Sequence, residues 1–379
     1  MKKTLLAAAL VAGFAGVAQA ETSVTLYGIL DGGIGYQQVK GNTSYSASRT
    51  GATDSKATKT GMINGVQSGN RWGLRGTEDL GNGLQAIFQV ESGFDLGTGQ
   101  QAQSSSSTNS DRLFGRQATL GLQSDAWGRL DVGRQTNIGS KYFGAIDPFA
   151  QGFGQANIGA AFTAVNTVRW DNMIMYQTPS FSGFQFGAGY SFRTSGTQQF
   201  KISGNDDPNN RGITTGLRYA NGPLTAALSY DQTKTSSQGF TVRAWNLGAA
   251  YDFEVVKLHL AYGQTRNGLF AAESFGSQLP TGQINAEGLK INSYLVGLSA
   301  PLGAGKILAS WHMADPRSNP DAWNGTDLDT DKQQTYSLGY TYDLSKRTNV
   351  YALGSYTKHA QFLPDAKSTV IGVGLRHRF

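Results

Sequence analysis

Three observations in the 379-residue sequence predict an all-β fold, a transmembrane antiparallel β-barrel of about 16 strands with short periplasmic turns and long extracellular loops. Segments of roughly ten residues carry an apolar side chain at every second position, the period of a strand with one greasy face. Their connections alternate between short turns and long polar stretches. The last strand closes on an aromatic residue, Phe379. Composition agrees: Gly is abundant at 50 residues, Pro scarce at 9, and aromatics make up 11%. A wall greasy outside and polar within lowers the average hydropathy of a long chain, here −0.33. Cysteine is absent, and a closed barrel, whose backbone hydrogen bonds are all made between neighbouring strands, needs no disulfide.

The elements follow in order. Lys2 and Lys3 form a basic head, Leu5 to Val17 is uncharged and apolar, and Ala18-Gln19-Ala20 is a small-x-small cleavage pattern. Residues 1–20 are therefore read as an export signal and 21–379 as the barrel. The apolar run is shorter than the ~18–20 residues that cross a bilayer as a helix. Strands are placed from near 23, 67, 83, 112, 128, 169, 183, 211, 223, 241, 256, 289, 305, 333, 348 and 367. The alternation is plain in Phe184, Phe186, Ala188, Tyr190 and Phe192, in Trp245, Leu247, Ala249, Tyr251 and Phe253, and in Tyr336, Leu338, Tyr340 and Tyr342. Many of these segments end in aromatics, which collect at membrane–water interfaces. Short turns fall at 79–83, 124–127, 221–223, 254–255 and 301–305, and long polar stretches at about 38–66, 95–111, 194–211, 267–289 and 315–333. The final strand carries Ile371, Val373, Leu375 and Phe379 on one face, interrupted only by His377. That pattern is similar to the signal by which the barrel-assembly machinery recognises its clients.

Parity along the strands sorts the charges. Trp72, Leu74 and Gly76 face lipid, so Arg71 and Arg75 point inward, and the same count places Arg169, Arg193, Arg218 and Lys257 in the lumen. Strict alternation instead groups Arg116 with the lipid-facing Ala118, Leu120 and Leu122, unless a bulge shifts the register or this strand meets a second subunit. Residues 136–168 hold only two charges, Lys141 and Asp147, among Gly, Ala, Asn and Phe. So apolar a loop is expected to pack inside the barrel (about 135–168), anchored by Tyr142, Phe143, Phe149, Phe153 and Phe162, with Asp147 as the candidate acid facing the wall arginines.

The blocks Val24-Thr25-Leu26-Tyr27-Gly28, Asn70-Arg71-Trp72-Gly73-Leu74-Arg75-Gly76-Thr77-Glu78-Asp79-Leu80-Gly81 and Phe88-Gln89-Val90-Glu91-Ser92-Gly93-Phe94 resemble trimeric Gram-negative general porins of the β-proteobacterial branch. Leu113-Phe114-Gly115-Arg116-Gln117, Gly128-Arg129-Leu130-Asp131-Val132-Gly133-Arg134-Gln135 and the ending Gly374-Leu375-Arg376-His377-Arg378-Phe379 are similar to the same family. The resemblance implies a homotrimer in the outer membrane, surrounded by lipid and lipopolysaccharide, with a third extracellular loop folded into the lumen. It also implies that Arg71, Arg116 and Arg169 form a basic cluster opposite that loop. The expected function is passive diffusion of small hydrophilic solutes and ions, with anions favoured and no cofactor or metal. A pore of this kind selects by the charges at its narrowest level, where low-dielectric walls focus the field.

Other classes are weighed on their own residues. A substrate-specific anion channel needs a denser ladder of Arg or aromatics than the sequence displays, and a barrel enzyme or adhesin needs a catalytic constellation or a dominant binding motif. Gly303-Ala304-Gly305-Lys306 lacks the leading Gly, since Ala300 stands there, and Ile307 replaces the required Ser or Thr. Asp327, Asp329 and Asp331 open like a calcium loop, but Lys332 occupies the turn Gly and Leu338 the closing Glu. The four histidines lack zinc spacing, and no Gly-x-Ser-x-Gly elbow exists. A formal charge of +6 is too dispersed for nucleic acid.

Overall fold

The computed structural model describes residues 23–41, 44–46, 55–103, 112–235, 239–271, 273, 275, 279 and 286–379. The export signal expected at 1–20 lies outside them. The first wall is built from β1 (Ser23–Gly41), β2 (Ser55–Asn64), β3 (Arg71–Gly81), β4 (Leu84–Phe94), β5 (Gln101–Ala102), β6 (Gln117–Ser124), β7 (Gly128–Thr136) and β8 (Arg169–Gln177). The second contains β9 (Phe184–Ser191), β10 (Arg211–Asn221), β11 (Leu224–Lys234), β12 (Thr241–Asp252) and β13 (Lys257–Arg266). It continues through β14 (Lys290–Leu302), β15 (Gly305–Ser318), β16 (Gln333–Asp343), β17 (Thr348–Lys358) and β18 (Lys367–Arg378).

All pair antiparallel in one sheet, and β1 meets β18 from Ile29↔Arg378 to Lys40↔Lys367, so the sheet closes. Closure leaves no strand edge, the condition for irregularity-free backbone in lipid. The sheet has 18 segments but a barrel of 16 staves. Both β2 and β3 pair with β1, on its two halves, and both β5 and β6 pair with β4.

Alternation decides which face each side chain takes. Leu26, Leu120, Leu247 and Val373 are more than half exposed on the outer face, as a lipid-facing belt requires. Their sequence neighbours face inward and are polar or small: Thr214, Ser229, Asn246 and Ser293 are buried. Phe379 joins the outer belt, and its backbone pairs with Gly28 in both directions at 3.1 Å.

The sequence expectation differs from the structure at the second stave. Residues 55–64, expected as part of a long polar loop, form β2 and extend the β1 hairpin. Between β2 and β3 the chain dips inward at residues 65–70. There the buried Asp31 accepts from the Ser68 N–H at 2.6 Å, and the Asn70 side chain accepts from the Asp31 N–H at 2.6 Å.

Residues 137–168 are the second inward excursion. Asn137 caps helix α1 (Ile138–Phe143) by accepting from the Ser140 N–H at 3.2 Å. Single 3-10 turns follow at Gly154–Ala156 and Ile158–Ala160. Ile138, Tyr142, Phe143, Ile146, Phe149, Phe153, Ile158 and Phe162 are all nearly fully buried. They lie against inward-facing glycines of successive strands. A Cβ on Gly187 or Gly216 would stand 2.5 or 2.9 Å from Ile138, one on Gly248 2.9 Å from Ile146, one on Gly297 2.7 Å from Pro148 and one on Gly339 2.9 Å from Phe149. The segment therefore rests directly on the wall from β9 to β16 because that wall lacks side chains there.

Candidate functional site

Opposite this seat, the wall from β3 to β8 carries the arginines. Arg71 begins β3, Arg116 stands one residue before β6, and Arg169 begins β8. Glu91 of β4 gathers two of them: Arg116 Nε lies 2.6 Å and Arg71 Nη1 4.0 Å from Glu91 Oε1. Tyr27 donates to the other carboxylate oxygen at 3.0 Å, and Gln89 donates to Tyr27 at 2.6 Å. Arg169 donates from Nε to the Arg116 carbonyl at 2.9 Å, and Arg71 from Nε to the Gly69 carbonyl at 2.9 Å. The three guanidiniums are thus fixed by backbone carbonyls and one shared carboxylate, which leaves a formal net charge of +2 on the cluster.

The side chain of Arg116 joins Glu91 inside the barrel, not the lipid face that strict alternation assigned to it. The reason is local: alternation starts only at Gln117, and residues 113–116 are turn and bend. A Cβ on Gly93 would come within 3.1 Å of Arg116, so the neighbouring glycine makes room for its stem.

The remaining expected residues part company. Arg75 faces the lumen, exposed, with its guanidinium 5.6 Å from the Tyr27 ring centre. Arg218 faces inward beneath the apolar segment, 5.5 Å from the Tyr142 ring centre, and so lies on the seat. Arg193 stands two residues past β9 and folds onto the Ser195 carbonyl at 2.8 Å. Lys257 sits at the short-turn end, opposite Asp252 and Ser299.

Asp147 takes a place other than the one expected. Its carboxylate is buried and accepts from the N–H groups of Phe149, Gln151 and Ile158 at 3.1, 2.8 and 3.0 Å. It holds together a corner in which Ala150, Gln151 and Phe153 all adopt left-handed backbone conformations. Burial pushes Asp147 up to about 6, against the pull of those three N–H groups. The acid is thus tied inside the segment and does not oppose the arginines. Lys141 is the segment's other charge. Burial lowers it to about 8, and it feels Asp131, Arg129 and Arg169.

Sequence reasoning missed three more arginines. Asp171 binds Arg134 Nη1 at 2.6 Å and Arg112 Nη2 at 2.9 Å, and Asp131 holds Arg129 through contacts of 2.6 and 2.8 Å. Parity alone marks Arg129 and Asp131 as same-face neighbours. Arg134 turns inward through the bulge between Gly133 and Gln135, which parity cannot foresee. Five guanidiniums of this wall thus pair with three carboxylates, while Arg169 is held by backbone carbonyls and Arg75 stands over Tyr27. At the short-turn end, a cavity of about 500 Å³ beneath Phe149 is lined by Lys306, Lys346, Arg347, Arg376 and Arg378, with Asp343 as its acid.

The acidic loop offers no converging cation site. Asp327 accepts from Ser46 at 2.7 Å, Asp329 from Asn319 at 2.9 Å, and Asp331 lies 3.5 Å from His359. Among the described residues no three metal-capable side chains cluster.

Comparison with known proteins gives one consistent result. The sequence profile of Gram-negative porins matches residues 7–359. An outer membrane porin protein of Bordetella pertussis is 58% identical, with the whole of both chains covered. Outer membrane porin protein 32 of Delftia acidovorans is 32% identical, again over both whole chains. Among solved structures, an anion-selective porin from Comamonas acidovorans superposes with a TM-score of 0.69 at 29% identity, covering 94% of this chain and 100% of that one.

Proposed function

Because this chain belongs to the Gram-negative porin family and forms an outer-membrane diffusion channel, we propose that it passes small hydrophilic solutes with a preference for anions. One observation carries the preference: on the wall opposite the inner segment Arg71, Arg112, Arg116, Arg129, Arg134 and Arg169 stand among three carboxylates, Glu91, Asp131 and Asp171, and the segment's own acid, Asp147, is buried in its backbone. Fixed positive charges in a narrow, low-dielectric passage raise the local anion concentration and lower that of cations. The constriction in this reading is Arg71, Arg116 and Arg169 facing the segment 137–168, with Asp147 as its internal brace. The anion selectivity named for the Comamonas relative supports the same direction.

The working unit is a homotrimer set among lipid and lipopolysaccharide. The outward-facing row of Ile371, Val373, Leu375 and Phe379 serves the barrel-assembly machinery as its recognition strand, and residues 1–20 serve export. The test is the reversal potential of the purified protein in a planar bilayer under a potassium chloride gradient. Conductance steps with an anion-favouring potential are expected. A cation-favouring potential would overturn the preference, and folded protein without conductance would overturn the channel.

A further inference from the structure

A second cavity, of about 520 Å³, opens beside Arg169. Its two faces differ in chemistry. One is basic: Arg134 and Arg169 line it, and each is held through Nε and Nη1, with no bond to Nη2 among the described residues. Arg134 uses Nε on the Gly115 carbonyl at 2.8 Å and Nη1 on Asp171 at 2.6 Å, while Arg169 uses Nε on the Arg116 carbonyl at 2.9 Å and Nη1 on the Thr167 carbonyl at 3.1 Å. The other face is apolar and aromatic: Trp170, Val242, Leu269 and Phe270. The Trp170 and Phe270 rings stand 6.4 Å apart with 35° between their planes. Gly212 gives Trp170 its position, since a Cβ there would lie 2.8 Å from the indole. The acids nearby are engaged: Asp171 by Arg112 and Arg134, and Glu273 by the Asn166 amide at 2.8 Å.

Chloride or inorganic phosphate would use only the basic face. The size suits a small organic molecule, in the range of about 300–1,000 Å³ typical of ligand pockets. We infer that this cavity receives small aromatic monocarboxylates on their way to the constriction, the ring against Trp170 and Phe270 and the carboxylate on the Nη2 groups of Arg134 and Arg169. A planar carboxylate matches guanidinium donors in geometry as well as charge. An aromatic ring gains contact with the two side-chain rings that an aliphatic acid of two carbons cannot make. The inference rests on the anion-channel reading and adds a class of solute to it.

The test uses chloride current through the wild-type channel in a planar bilayer, with sodium benzoate or sodium acetate added at matched ionic strength. A solute that dwells in the cavity obstructs chloride, so benzoate is expected to halve the current at a concentration about tenfold below that of acetate. In Phe270→Ala the benzoate concentration should move toward that of acetate. The wild-type ranking needs no variant and decides the matter if Phe270→Ala does not fold. Equal concentrations for the two acids, with an anion-favouring reversal potential, would overturn the aromatic site and leave the channel reading standing. A cation-favouring reversal potential would overturn both.

Discussion

Asp147→Ala should unseat the inner segment without opening the barrel. The carboxylate is the acceptor for three N–H groups, those of Phe149, Gln151 and Ile158. A buried N–H left without an acceptor costs about 1–3 kcal/mol, so the three together cost about 6 kcal/mol. Part of this is offset, because the variant no longer buries a carboxylate whose value burial raises from 3.8 to about 6. That rise of about two pH units corresponds to about 3 kcal/mol. The difference, about 3 kcal/mol, shifts the balance between seated and unseated segment by about a hundredfold.

The assay is single-channel recording, in which Asp147→Ala should show larger and noisier conductance steps. The wild type supplies a control through pH. A carboxylate raised in the folded state contributes its full stability below its ordinary value, and that stability is lost as pH rises through about 6. Wild-type recordings should therefore be quieter at pH 5 than at pH 8, and the variant should lose the difference. Steps of wild-type size and noise from a folded Asp147→Ala barrel would refute the bracing role.

Further outcomes follow from the same geometry. Glu91→Gln removes the carboxylate between Arg116 and Arg71 and should move the reversal potential further toward anions; a shift toward cations would contradict the charge count. Lys141, lowered to about 8 by burial, loses its proton as pH rises from 7 to 9, so anion preference should fall over that interval, and fall less in Lys141→Gln. Gly216→Leu drives a side chain into Ile138, 2.9 Å from where its Cβ would stand. Overpacking of about 1–3 kcal/mol should lower the thermal midpoint measured by circular dichroism, together with an altered conductance.

The barrel was legible because lipid imposes a strict period on the residues that face it. Strands expected from 211, 305, 333, 348 and 367 begin at Arg211, Gly305, Gln333, Thr348 and Lys367. β2 was not legible because Ser55 to Asn64 carries Lys56 and Lys59 and no alternating apolar set. At the site, parity identified the inward Arg71, Arg75 and Arg218, since these lie within regular strands. It failed at Arg116, which precedes its strand, and it offers no guide at Arg134, which sits in a bulge. The part played by Asp147 depends on three N–H groups brought around it by tertiary packing, and no local pattern encodes that. The glycine row at 187, 216, 248, 297 and 339 was visible at inward positions, but its meaning depends on the segment that covers it.

The central claim is that the arginine cluster sets the preference of the pore. A unit charge about 4 Å from a passing ion contributes about 1 kcal/mol even at the dielectric constant of water, enriching anions about fivefold and depleting cations about fivefold. The direct measurement is the reversal potential of the double variant Arg71→Gln and Arg169→Gln, which takes the cluster from a formal net charge of +2 to zero. The account predicts a collapse of most of the anion preference in a folded, conducting barrel; an unchanged reversal potential would contradict it.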